Sequence, residues 1–300
     1  MNIRQRLIEL AAQSKTMLGE RVEDIIRMIL SRQNPDGGFV GKGKQSDIYY
    51  TGFAILSLRA LRAVFDTSRV VSFLNDVDDG IDTDLAHLAA LIRCRRLVMA
   101  EPFIPQMQTA FYRRVESFHC PDGAYHHLQA AENGSAYGCF LAVGAYQDLN
   151  MLMPEDAQKR VLDCLGRLKS SGGGYYNELD IPAASVPATA AAMIVHRVMT
   201  GTVPNSCAAE WLMRCFDEGG FRVMPIAPVS DLLSTAVAVF ALLAAEADMT
   251  AIRQSCLCFV DLLWKGEIGF CANPFDTFSD TEYMFYGLLT LGTLCAHNTA

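Results

Sequence analysis

Two kinds of apolar pattern alternate along the chain. One is amphipathic. In residues 20–32, Val22, Ile25, Ile26, Met28, Ile29 and Leu30 build a broad apolar face, while Arg, Glu and Asp hold the other side. The second is apolar nearly all round: residues 232–243 read LLSTAVAVFALL and residues 188–195 read ATAAAMIV. A helix apolar on every side is buried on every side, and one with a charged face lies outside. The alternation therefore predicts pairs of helices, an outer amphipathic one followed by an inner buried one. No stretch keeps period two for long, so almost no strand is expected.

The junctions repeat as well. Residues 33–39 read QNPDGGF, a turn set up by Pro and Asp and completed by Gly. Asp47 then stands where it can cap a helix, ahead of an apolar run. Gly219-Gly220-Phe221 is followed by Ser230-Asp231, and Gly269-Phe270 by Ser279-Asp280. Turn glycines fall at Gly37, Gly80, Gly123, Gly173, Gly219 and Gly269, marking six units of roughly 43 to 50 residues, a period suited to helical-pair repeats. Second helices are expected to open at Asp47, Asp82, Ser135, Ser185, Asp231 and Asp280. Residues 2–13 form a further amphipathic helix, read as a lid or cap. Six such pairs stack as an open solenoid or close into a ring with a central cavity.

Composition narrows the function classes. Hydrophobic residues make up 51% and charged residues 19% of 300, ample for a large core. A net charge of −8, with no Lys/Arg run, excludes a nucleic-acid surface. The ten Cys include no CxxC pair, and the first ten residues carry two Arg and a Glu. Both point to a reducing, cytoplasmic setting with free thiols. The longest apolar runs, such as 236–245, fall short of the ~20 residues of a membrane span.

The QNPDGGF turn followed by DIYYTGFAILSL resembles the repeat of protein prenyltransferase β subunits and of squalene–hopene and related class II terpene cyclases. The resemblance runs from about residue 20 to 296. It implies an all-α fold, a closed (α/α)6 toroid of six helical hairpins, as one domain over 1–300 with a cap at 1–19. It also implies an aromatic-lined central cavity that accepts an isoprenoid, with chemistry at the mouth where inner helices begin. A helical α-subunit partner is possible on the same grounds. In the transferases the fifth unit carries Asp-x-Cys and the last a His three residues after its Asp, together binding zinc. Here Asp231 is followed by Leu233 at the Cys position, and Asp280 by Tyr283 at the His position. Met224 replaces the Arg expected to hold diphosphate. No cofactor is therefore expected: zinc is disfavoured, and Mg²⁺ stays open as a hard ion for oxygen ligands.

The cyclases protonate an alkene or epoxide with Asp-x-Asp-Asp at an inner-helix start. The literal match, Asp76-Val77-Asp78-Asp79, is expected on an outer-helix end, out of register. The in-register stretch is Asp82-Thr83-Asp84-Leu85. In a closed ring Asp47, Asp82, Asp84, Asp231, Asp280 and Glu282 crowd the mouth. Crowding and burial raise carboxyl pKa values, which equips one of them as a general acid. The simpler role for each Asp is a helix cap, and Asp84 and Glu282 are read as lying past that position. Tyr49, Tyr50, Phe53, Tyr137, Tyr283 and Tyr286 are expected to bind substrate, since aromatic faces stabilise cations. A metal at Cys120, His126 and His127 is not expected, because no acidic residue is spaced to complete it. His87 and His196 read as packing or surface residues. The residues thus favour an isoprenoid-processing enzyme, terpene cyclase-like or prenyltransferase-like. The alternatives are a prenyltransferase β subunit-like protein with an altered site and a non-catalytic toroid that binds lipid or protein.

Overall fold

A computed structural model describes residues 1–78, 84–99, 103–181 and 183–297. Six inner helices carry the all-round apolar stretches: α4 (Ile48–Leu61), α6 (Leu85–Val98), α8 (Ala136–Asp148), α10 (Val186–Thr200), α12 (Leu232–Ala244) and α14 (Thr281–Ala296). Each packs on the next, and α14 packs on α4, so the inner ring closes. Outside lie the amphipathic helices α3 (Arg21–Leu30), α5 (Thr67–Asp78), α7 (Pro105–Glu116), α9 (Glu155–Leu168), α11 (Ser206–Arg214) and α13 (Thr250–Leu263). The fold is all-α: the alternation of patterns predicts its helical pairs, and the toroid is the closed form that the family resemblance implies. Among the described residues, strand is confined to β1 (Phe216–Asp217), β2 (Gly220–Arg222) and β3 (Ser230–Asp231), an antiparallel scrap around the fifth turn.

The turns are the same object repeated. Gly37, Gly123, Gly173, Gly219 and Gly269 all have φ between +85° and +99°. At Gly37 a Cβ would also lie 2.0 Å from the carbonyl oxygen of Arg69, so both backbone angle and space demand glycine. The aromatic after the turn is pinned from the inner helix. The N–H groups of Phe39, Tyr175 and Phe221 donate to the hydroxyls of Thr51, Thr189 and Thr235, each at 2.9 Å.

Neighbouring units are stitched at the inner-helix starts. The first N–H of α6 donates to His127 O, that of α8 to Asn177 O, that of α10 to Val223 O and that of α12 to Ala272 O. Helix α14 closes the series through Thr281 Oγ1 to Tyr50 O at 2.7 Å. These bonds satisfy donors that a helix N-terminus leaves open. They also place each turn loop beside the next unit's cavity wall.

Helix α1 (Ile3–Gln13), followed by the single turn α2 (Lys15–Leu18), crosses the far end of the ring and packs on α4, α8 and α14. Its approach to α14 is close: a Cβ at Gly292 would sit 1.8 Å from Leu10 O. Asp148 at the end of α8 is 1% exposed and accepts from Arg4 Nε at 2.8 Å and Arg93 Nε at 2.9 Å. Among the described residues no helix is long and apolar enough to cross a membrane.

Candidate active site

Six residues cap the inner helices: Asp47, Asp84, Ser135, Ser185, Asp231 and Asp280, each accepting a backbone N–H from the first turn through its side chain. Counting from the cap, the side chains at +2, +5, +6 and +9 share one helical face. Most of that face lines the cavity; Glu282, at +2 of α14, stands behind the wall and reaches it through Tyr49. The face presents Tyr49, Gly52, Phe53 and Leu56 from α4, and Ala86, Ala89, Ala90 and Arg93 from α6. It presents Tyr137, Phe140 and Leu141 from α8, and Phe285, Tyr286 and Leu289 from α14. Pro187, Ala190, Ala191 and Ile194 come from α10, and Leu233, Val237 and Phe240 from α12. Alanines on α6 and α10 leave room, and rings on α4, α8, α12 and α14 face it.

The space has two joined parts. The deeper chamber, about 140 Å³, is floored by Leu7 of α1 and edged by Arg93. The chamber nearer the mouth, about 360 Å³, is edged by Asn177, Ser185 and Leu233. Tyr49, Tyr137, Phe140, Val237, Phe240 and Tyr286 line both. Phe53 makes an edge-on contact with Tyr49 at 5.0 Å and a tilted one with Tyr286 at 5.4 Å. Around the mouth, loop residues Leu128, Leu179, Ile181, Ile226 and Phe275 are exposed, an apolar rim.

Glu282 occupies the +2 position of the sixth unit and is the acid of that register. It is 9% exposed and accepts from Tyr49 Oη at 2.6 Å. Burial pushes its pKa up; the Tyr49 bond pulls it down, and the neighbouring Asp280 pushes it up again. Asp280 is fully buried, and its pKa is also raised by burial. One of its oxygens accepts from Tyr283 N at 3.0 Å; Oδ2 has no hydrogen-bond partner. An orphaned buried carboxylate oxygen is costly, and a proton on it lowers that cost. Asp231 is raised by burial too, but both its oxygens are engaged by Ser234, through N at 2.7 Å and Oγ at 2.7 Å.

Asp47 and Asp84 behave differently, because His87 stands between them. Its Nδ1 lies 2.7 Å from Asp84 Oδ1 and its Nε2 3.7 Å from Asp47 Oδ1. The Asp47 contact and then Asp84 raise the imidazole to about 9, against partial burial. Asp47 is lowered chiefly by His87; for Asp84 burial opposes, and the bonds from His87 prevail. Asp84 is itself the cap, not a residue beyond it, and His87 is a bridge between units rather than packing. Asp82 and Asp79 lie outside the described residues; Asp76 and Asp78 fall in the last turn of outer helix α5.

The raised imidazole has a stability consequence. A histidine with an elevated folded pKa contributes fully below its ordinary value of 6.5 and loses that contribution as pH rises through about 9. With the site half exposed, solvent screening leaves about 1 kcal/mol. Thermal melts between these pH values should show the wild type losing its advantage over His87→Gln. Parallel curves would remove the bridge.

Of the aromatics expected to bind substrate, Tyr49, Phe53, Tyr137 and Tyr286 line the chambers. Tyr50 and Tyr283, at +3 from their caps, line neither chamber: Tyr50 lies at an outer pocket with Gly41, Lys44 and Asp47. Phe140, Phe240 and Phe285 are wall residues that the +2, +5, +6, +9 count finds once the caps are fixed. The zinc positions, Asp231, Leu233 and Tyr283, do not supply a thiolate–imidazole set. Ser234 engages both oxygens of Asp231, whereas Asp47 and Asp84 each offer one oxygen, Oδ1, to His87 and to backbone N–H groups.

Residues 6–88 and 199–299 match the family model described as prenyltransferase alpha-alpha toroid domain. No curated protein matches the sequence. Among solved structures, a variant of the type II terpene cyclase MstE from Scytonema, in complex with merosterolic acid A as product, superposes with a TM-score of 0.61 at 13% identity, covering 96% of this chain and 99% of that one. Another variant, holding the substrate geranylgeranyl dihydroxybenzoate, gives 0.59 at 12% identity over 98% and 99%. Candida albicans protein geranylgeranyltransferase-I complexed with GGPP gives 0.49 at 12% identity over 73% of this chain and 64% of that one, so this chain spans less than two thirds of its length.

Proposed function

Since this chain belongs to the prenyltransferase alpha-alpha toroid domain family, we propose that it is an isoprenoid-processing enzyme of the terpene cyclase-like kind, in which a buried carboxyl group at the mouth starts the reaction by protonation. The observation that carries this reading is Glu282: an acid in cavity register, its pKa raised by burial, hydrogen-bonded to a wall tyrosine. Isoprenoid complexes of the Scytonema cyclase support the choice of substrate class.

In this reading a linear isoprenoid lies with its chain in the deeper chamber. Protonated Glu282 gives its proton to a terminal alkene carbon or to an epoxide oxygen. The alkene π pair becomes the new C–H bond, or the pair of the cleaved C–O bond stays on oxygen as a hydroxyl, and the adjacent carbon becomes a tertiary cation. The carboxylate so formed keeps the hydrogen bond from Tyr49. The next alkene attacks the cation and closes a ring, and a final C–H proton passes to a base. Ring faces of Phe53, Phe140 and Phe240 stabilise the passing positive charge through their quadrupoles. A dry, apolar wall keeps water from quenching it early.

Incubation with squalene, farnesyl diphosphate and geranylgeranyl diphosphate, read by mass spectrometry, tests the assignment. A product of unchanged mass and altered retention from any of them is expected. Isoprenoid that is retained but unchanged would overturn catalysis in favour of a binding toroid.

A further inference from the structure

Opposite the carboxyl pair, the rim carries a second cluster that the acid chemistry does not use. His126 and His127 come from the third turn loop, and Glu178 from the fourth. Sequence spacing offers no acidic partner within the third unit; the stitching of units supplies one, 51 residues on from His127. His126 Nε2 lies 3.3 Å from Glu178 Oε1, and His127 Nδ1 lies 4.0 Å from the same oxygen. All three ligand atoms fall within 4.8 Å of one another. From this geometry we infer that His126, His127 and Glu178 form a binding site for a first-row transition dication of the zinc type, with open coordination positions.

Three observations support the site. Metal–ligand bonds of about 2.0–2.2 Å in a tetrahedral set put ligand atoms roughly 3.3 Å apart, so a small rotation of His127 suffices. His127 Nδ1 is buried and has no hydrogen-bond partner, so a bound metal ion would satisfy it. The surroundings hold the ligands in place. Asn177 Nδ2 donates to Glu178 Oε1 at 2.9 Å while Asn177 Oδ1 accepts from Tyr137 N at 3.1 Å. His126 Nδ1 lies 3.0 Å from Leu128 N and 3.3 Å from Leu128 O. That ring thus has a partner in either tautomer: it accepts from the N–H when Nε2 carries the proton, and donates to the carbonyl when Nε2 binds metal. Such outer partners are the usual company of metal-binding imidazoles.

Two imidazoles and one carboxylate favour zinc, iron or cobalt over Mg²⁺, which takes oxygen cages. Asn177 also lines the upper chamber, so open positions on the ion lie near the path into the cavity, where an anionic head group would find them.

The site is independent of the proposed reaction and is tested without an isoprenoid. Chelator-stripped protein is titrated with Zn²⁺ by equilibrium dialysis and with Co²⁺ by visible absorption. We expect one zinc per chain and a cobalt spectrum free of thiolate charge transfer, which excludes the exposed Cys207 and Cys258 as its source. His127→Gln and Glu178→Gln should each weaken binding more than about tenfold, with circular dichroism unchanged. No stoichiometric zinc, a thiolate spectrum, or full affinity in both folded variants would overturn the site. Should a variant not fold, Asn177→Ala is the second measurement: weakened binding supports the site, and unchanged affinity counts against its supporting shell.

Discussion

Glu282→Gln is expected to lower turnover by about two to four orders of magnitude, the usual worth of a positioned general acid. The substitution keeps the shape of the side chain and an acceptor for Tyr49, and removes only the proton. Stability should change little, which separates loss of chemistry from loss of fold. The wild-type rate should fall as pH rises past the raised pKa of Glu282, because the reactive form is the protonated one. Tyr49→Phe supplies the sign test. The Tyr49 bond favours the carboxylate, so its removal raises the Glu282 pKa further and moves the alkaline limb upward. Full turnover in Glu282→Gln, or a limb that moves down in Tyr49→Phe, would shift the acid to Asp280, whose Oδ2 is also free. Asp231 ranks below both, because Ser234 occupies its two oxygens.

The paired helices were legible because their determinants are local and repeated, while closure into a toroid was carried by the resemblance to known repeats. All-round apolar stretches fix which helices are inner, and glycines at φ near +90° fix where the chain turns. The mouth was legible in part, since each inner helix begins with an acid or serine cap. What sequence spacing does not settle is register within a run of acids. In Asp82-Thr83-Asp84 either acid is able to cap; the hydrogen bond to His87 N identifies Asp84. The partnerships across units were beyond reach for a different reason. His87 meets Asp47, and His126 and His127 meet Glu178, only because hydrogen bonds between successive units bring loops 40 or more residues apart to one rim. No local pattern encodes that neighbourhood.

Asp148→Ala is expected to cost about 3 kcal/mol or more, since it leaves Arg93 and Arg4 without the buried carboxylate between them. The effect exceeds that of a surface ion pair because Asp148 is 1% exposed, so the surviving charges have little water to turn to. A lowered thermal midpoint is the direct readout, and a shift of under about one degree would show that packing of Ile3, Leu7 and Leu10 alone holds α1 in place. The same substitution reaches the cavity. Leu7 floors the deeper chamber and Arg93 edges it, so loosening α1 opens the far end of the ring to water. Under the cyclisation reading, water would then intercept the cation, and hydroxylated or incompletely closed products should rise relative to the wild type. Glu282→Gln stops the reaction before a cation forms, whereas Asp148→Ala lets it form and changes what ends it. A destabilised variant with an unaltered product ratio would confine the Arg4–Asp148–Arg93 network to stability.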